Sequence, residues 1–174
     1  GLQIWVALPK EREDMDPQFH HTKEEELPTW TDGPVRYRLI AGEAFGKRSP
    51  VPVYSKLFFL ELTSAERAEV DLGTALFGEA GLYILQGGII SDGNHFGPKQ
   101  ILVSTQPSLC TFTLEPGTSV YLFGGEPFPE ERFIHWNFVA TSKDRIEAAR
   151  QRWMAQEFPK IEGETEFVPL PIMR

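Results

Sequence analysis

The chain has 174 residues, 41% of them hydrophobic and 12% aromatic, which is enough for one sizeable core and too apolar for a disordered polypeptide. Its formal net charge of −8 repels a phosphate backbone and argues against sequence-independent binding of nucleic acid. No apolar run reaches the length of a membrane span and the lone Cys110 can form no internal disulfide, so a reducing, cytoplasmic setting is expected.

Residues Leu2 to Leu8 read as a short apolar strand closed by Pro9, and the charged run Lys10 to Asp16 reads as solvated. After an irregular polar stretch, Val35, Tyr37 and Leu39 alternate with Arg36 and Arg38, the pattern of a strand with one buried and one wet face. Leu57 to Leu62 is apolar on both faces, as suits a strand packed between layers. Asp92-Gly93 supplies the positive φ angles of a tight turn and predicts a hairpin between Leu82–Leu85 and Gln100–Val103. Two more strands, Leu109 to Leu114 and Thr118 to Phe123, flank the turn Glu115-Pro116-Gly117.

Beyond Val139 the apolar period changes from two to about 3.6. Thr141 is the expected N-cap, with Asp144 three residues on. Ile146, Ala149 and Trp153 then share the face of a helix that lies against the sheet and ends near Phe158-Pro159. An extended tail follows from Glu164 to Pro171. Short strands separated by 14 Pro and 15 Gly, with one late helix, predict an all-β sandwich or jelly roll.

Candidate chemistry is sparse. His20 and His21 are adjacent, so on extended backbone their rings point apart and neither has a partner two residues away. His95 flanks the hairpin turn. His135 shares a strand face with Asn137, opposite Ile134, Trp136 and Phe138, and nothing in the spacing requires His95, His135 and Glu126 to meet. Gly42 to Arg48 is similar to a phosphate-binding loop but is one residue short and lacks the Ser or Thr after Lys47, so a turn between strands explains it better. Arg36, Arg38, Lys47 and Arg48 form the only basic concentration, among acidic neighbours. Cys110 reads as packing within a strand, and no carboxylate pair stands out as an acid and base. No catalytic, cofactor-binding or metal-ligating residue is therefore assigned.

Several linked segments nevertheless resemble the pirin family: Gly1 to Pro9, Ala41 to Gly46, Gly124-Gly125-Glu126-Pro127, Trp136-Asn137-Phe138-Val139, the helix, and Glu166 to Pro171. The resemblance covers essentially the whole chain and is greatest to a bacterial branch. It implies a cupin-type jelly roll, or double-stranded β-helix, followed by one C-terminal α-helix. The expected organisation is an opening strand and extended inter-domain arm over 1–33, a C-terminal cupin barrel over 34–140, and a helix and tail over 141–174. Pirins are bicupins whose N-terminal barrel binds iron or another divalent metal and whose C-terminal barrel has lost its site. Here Glu79 and Gly87 hold the later positions of a cupin metal motif, while Leu72, Gly73, Thr74 and Ala75 stand where its histidines would be.

With no initiator Met, the chain is expected to be the C-terminal part of a longer pirin-like protein. The implied partner is that protein's N-terminal cupin half, which would hold the metal and a flavonol-like small molecule in a quercetin 2,3-dioxygenase-like oxidoreductase. Self-association of the isolated chain is the other expected contact. The alternatives are a non-enzymatic regulatory or protein-interaction module of the transcription-cofactor kind, and the remnant of a split gene.

Overall fold

The computed structural model describes residues 1–106 and 111–171. The chain divides into two compact units, one of Asp16–Pro127 and the other of Gly1–Met15 with Phe128–Arg174.

The first unit is all-β. Its strands are β1 (Thr29–Asp32), β2 (Val35–Ala44), β3 (Lys47–Arg48), β4 (Leu57–Ser64), β5 (Ala68–Asp71) and β6 (Glu79–Gln86), then β7 (Ile89–Ser91), β8 (Asn94–Phe96), β9 (Ile101–Ser104), β10 (Thr111–Leu114) and β11 (Thr118–Gly125). A seven-stranded sheet runs β1-β2-β4-β11-β6-β9, with β3 added beside β2, and a four-stranded sheet runs β5-β10-β7-β8. Buried side chains of both sheets share one core, in which Leu39, Leu60 and Ile84 of the larger meet Val70, Ile89 and Leu114 of the smaller. This is the expected cupin-type jelly roll.

Alternation explains the larger sheet. Val35, Tyr37 and Leu39 are buried as expected, while Arg36 is exposed and Arg38 is held by Glu24 at 2.7 Å and Glu61 at 3.4 Å. On β4, Phe58, Leu60 and Leu62 are buried and Leu57, Phe59 and Glu61 half-buried, so the apolar run has a true core face and a partly covered outer one.

The hairpin at Asp92-Gly93 forms with φ of +48° and +73°, yet its arms are β7 and β8, in the smaller sheet. Leu82 does pair with Leu102, one layer away in the larger sheet. The chain leaves that sheet at Gly87-Gly88 and rejoins it where the Lys99 N–H donates to the Ile84 carbonyl at 2.8 Å. A positive-φ dipeptide dictates a turn but not the sheet its arms enter.

Likewise Glu115-Pro116-Gly117 joins strands of different sheets, β10 and β11. This corner is fastened to the other: the buried Thr118 hydroxyl donates to the Gly88 carbonyl at 2.9 Å and accepts from the Gly88 N–H at 3.1 Å. Of the predicted strand Leu109–Leu114, Leu109 and Cys110 lie outside the described residues.

In the second unit residues 2–8 join no strand ladder, contrary to the expected opening strand, and Leu2, Ile4, Trp5 and Val6 are exposed. An apolar run becomes a strand only by pairing its backbone with a neighbour, and residues 2–8 pair with none of the described strands. Its regular elements are a short 3-10 turn at Lys10–Arg12, the hairpin of β12 (Phe133–His135) and β13 (Phe138–Ala140), and helix α1 (Lys143–Met154).

The N-cap of α1 is Ser142, whose hydroxyl accepts from the Arg145 N–H at 3.3 Å. Thr141 is not the cap because a carboxylate has claimed it: its N–H and hydroxyl donate to the two oxygens of Glu13 at 2.7 and 2.9 Å. Arg145 pairs with the same Glu13 and with Asp14. The helix stops at Met154, short of Phe158, and Gln156 takes a φ of +56°. It packs on β12 and β13, and Ile146 is its buried residue.

Candidate functional site

The barrel of the first unit contains a cavity of about 280 Å³. Its walls are carbon: Leu82 of β6, Ile89 and Phe96 of the β7–β8 hairpin, Leu102 of β9, Phe112 of β10, and Leu72 just after β5. Ser91, Asp92 and Asn94 at the hairpin tip, with Ser104 at the end of β9, supply its side-chain polar groups. The arrangement follows from period-two alternation, since Ile89 and Ser91 share a face of β7 while their partners Phe96 and Asn94 share that face of β8.

The metal-motif frame occupies this region without becoming a metal site. Leu72 is buried in the cavity wall where a histidine would stand, and Glu79 opens β6 as an exposed residue. Gly87 has a conformational reason for being glycine: its φ is +77° and a Cβ there would run into Thr118. Among the described residues the cavity offers one carboxylate and no imidazole or thiolate, a donor set that does not fit iron or zinc. Among the described residues no group of three or more His, Cys, Asp or Glu is placed to hold an ion.

The candidate residues have separate local duties. His20 bonds Gln18 at 3.1 Å and is exposed, as is His21. His95 meets Glu115 at 2.9 Å, Glu126 pairs with Lys56, and His135 sits on β12 beside the turn to β13. The Gly42–Arg48 segment is a hairpin turn between β2 and β3, with φ of +51° at Phe45 and +67° at Gly46. The basic residues are dispersed: Arg48 faces Glu43 at 3.4 Å and Lys47 lies over the Trp30 ring at 5.2 Å. Cys110 lies outside the described residues.

A polar network escaped the sequence reading because its members come from four places along the chain. Glu24 binds Arg38, Arg38 reaches Glu61, and Glu61 accepts from the Tyr121 hydroxyl at 2.9 Å. Burial, then the hydrogen bond and charge of Glu61, push the Tyr121 phenol up to about 12 from an ordinary value of 10.0. The fold thus favours the neutral phenol, so this contribution to stability is whole below pH 10 and is lost as pH rises from 10 through 12. Burial of Tyr37, and to a lesser degree Asp32, acts in the same sense. Melting temperature is therefore expected to fall across this range, and Tyr121→Phe should flatten the fall; equal slopes in the two proteins would refute the role given to the network.

The pirin C-terminal cupin domain matches residues 59–159. A pirin-like protein of Caulobacter vibrioides is 43% identical, the match covering 98% of this chain and 59% of the relative. A Pseudomonas aeruginosa protein provisionally named a quercetin 2,3-dioxygenase is 36% identical over 88% of this chain and 48% of its own length. The crystal structure of a quercetin 2,3-dioxygenase from Acinetobacter baumannii superposes with a TM-score of 0.81 at 26% identity, over 98% of this chain and 57% of that one. This chain therefore spans about half to three fifths of the proteins it matches. With a matching domain over more than half its residues and a jelly roll to carry it, the chain belongs to the pirin family of cupin proteins.

Proposed function

We propose that this chain is the half of a pirin-type protein that holds no metal of its own and supports a second, metal-binding cupin, the pair forming an oxidoreductase of the quercetin 2,3-dioxygenase kind. The observation that carries this reading is the poverty of core in the unit of Gly1–Met15 and Phe128–Arg174. Among its described residues only Pro9, Ala140 and Ile146 are buried, whereas Trp5, Val6, Ile134, Met154, Phe167 and Val168 are exposed. Apolar surface of that density calls for a cover. Iron or another divalent metal, and a flavonol-type substrate, would belong to the covering cupin.

The chain alone is expected to self-associate, and to become a soluble one-to-one complex when the preceding half of the Caulobacter vibrioides relative is added as a separate polypeptide. Light scattering on the chain and on the mixture measures this. A clean monomer with no affinity for the added half would overturn the reading. Oxygen uptake with a flavonol by an iron-loaded full-length protein then tests the chemistry; an intact complex without turnover would leave a non-enzymatic interaction module.

A further inference from the structure

The barrel cavity has no place in that reading, and its chemistry is specific enough to name an occupant. Its volume, about 280 Å³, is roughly twice that of an apolar cavity known to hold benzene and just under the usual range for drug-sized ligands, so it suits a molecule of one or two fused rings. Phe96 and Phe112 are aromatic walls, and Leu72, Leu82 and Ile89 complete an apolar interior. Such an interior takes a ring and rejects a charge.

The polar end differs. Asp92 sits at the tip of the β7–β8 hairpin, and among the described residues its carboxylate makes no hydrogen bond or ion pair; the Asn94 amide donates instead to the Asp92 backbone carbonyl at 3.1 Å. Ser91, Asn94 and Ser104 line the cavity with it, and among the described residues no Lys, Arg or His does. An unpaired carboxylate with neutral acceptors nearby, in a chain of net charge −8, attracts a cation and repels an acid.

We propose that the cavity is a binding site for a small arylalkylamine, its ring between Phe96 and Phe112 and its ammonium group at Asp92. The barrel that lacks a metal donor set is then a ligand site of a different chemistry, independent of whether another cupin covers the second unit.

Equilibrium dialysis of the 174-residue chain, which tolerates self-association, tests this with three probes sharing an indole ring. Tryptamine should bind saturably at one per chain, and indole-3-propionate at least about tenfold more weakly, a ratio that reports the charge preference alone. Asp92→Asn, which keeps a residue tolerant of the positive φ, should weaken tryptamine about tenfold and leave neutral 3-methylindole within about twofold. Leu102→Trp should fill the cavity and weaken tryptamine and 3-methylindole alike by about tenfold or more; Ala80→Met, a more flexible side chain at another point of the wall, serves if the first variant fails to fold. Equal binding of amine and acid, an Asp92→Asn variant with unchanged tryptamine affinity, full binding by a folded cavity-filled variant, or no saturable tryptamine binding at millimolar concentration would each overturn the proposal.

Discussion

Gly124→Ala is expected to destabilise the barrel by about 3 kcal/mol, the upper part of the usual range for overpacking, because the added methyl has nowhere to go. Gly124 lies on β11 between Phe58 of β4 and Ala80 of β6, and a Cβ there would overlap the backbone carbonyl of Glu79. Its neighbour Gly125 is constrained from the other side, where a Cβ would overlap the carbonyl of Lys56. Two successive glycines thus let β11 sit close to both flanking strands at once. The obstacle is backbone on each side, so a rotamer change cannot relieve it, and widening the gap would displace Ala80 from the cavity wall. Gly97→Ala, where a Cβ meets open space, is the control and should be nearly neutral. Denaturant unfolding of the three proteins measures the difference; a Gly124→Ala midpoint equal to that of the control would show that the strands can separate at no cost.

Trp153→Ala is expected to cost about 2–4 kcal/mol, somewhat below the range for a fully buried aromatic because Trp153 remains half-exposed. The ring is the centre of a cluster, at 5.2 Å from Trp136, 5.6 Å from Phe158 and 5.5 Å from Phe167, and its indole N–H donates to the Val168 carbonyl at 2.8 Å. Removing it strips the tail of both its stacking partner and its hydrogen bond. The loss should fall on the unit that contains α1. Trp153→Phe should recover the ring contacts but not the hydrogen bond, placing it between wild type and Ala in a thermal melt. An unchanged melt for the Ala variant would mean that the cluster contributes nothing to stability.

These two residues also mark what could be read in the chain before its fold was known. Gly124-Gly125 was visible as part of a family resemblance, but the reason for it lies in the carbonyls of Glu79 on β6 and of Lys56 just before β4, roughly 45 and 70 residues away, which no local pattern displays. Trp153 was expected on the same helical face as Ile146 and Ala149, against the sheet. The helix is present, yet the tryptophan packs against rings of the β12–β13 turn and the tail, because a long side chain at a helix end follows whatever apolar surface returns to it. Alternation at Val35, Tyr37 and Leu39 predicted burial correctly, since period-two patterning is a local property. The cavity was illegible for the opposite reason: Leu72, Leu82, Phe96, Leu102 and Phe112 come from separate parts of the chain and look like ordinary core residues one at a time. The absence of histidines at 72–75 could be read directly, but not that a cavity with an acidic lip occupies the same region.

The clasp of Glu13 on Thr141 has a consequence for the order in which the molecule is made. Glu13 leaves the ribosome 128 residues ahead of its partner, and every strand of the barrel is synthesised in the interval. Domains form as units during synthesis, so the barrel can close while Glu13 still waits for Thr141. Closing so long a loop is slow but costs little more than closing one half its length. The segment that precedes the barrel in this sequence therefore finds its place after the barrel has closed, and until then its apolar side chains are open to a chaperone.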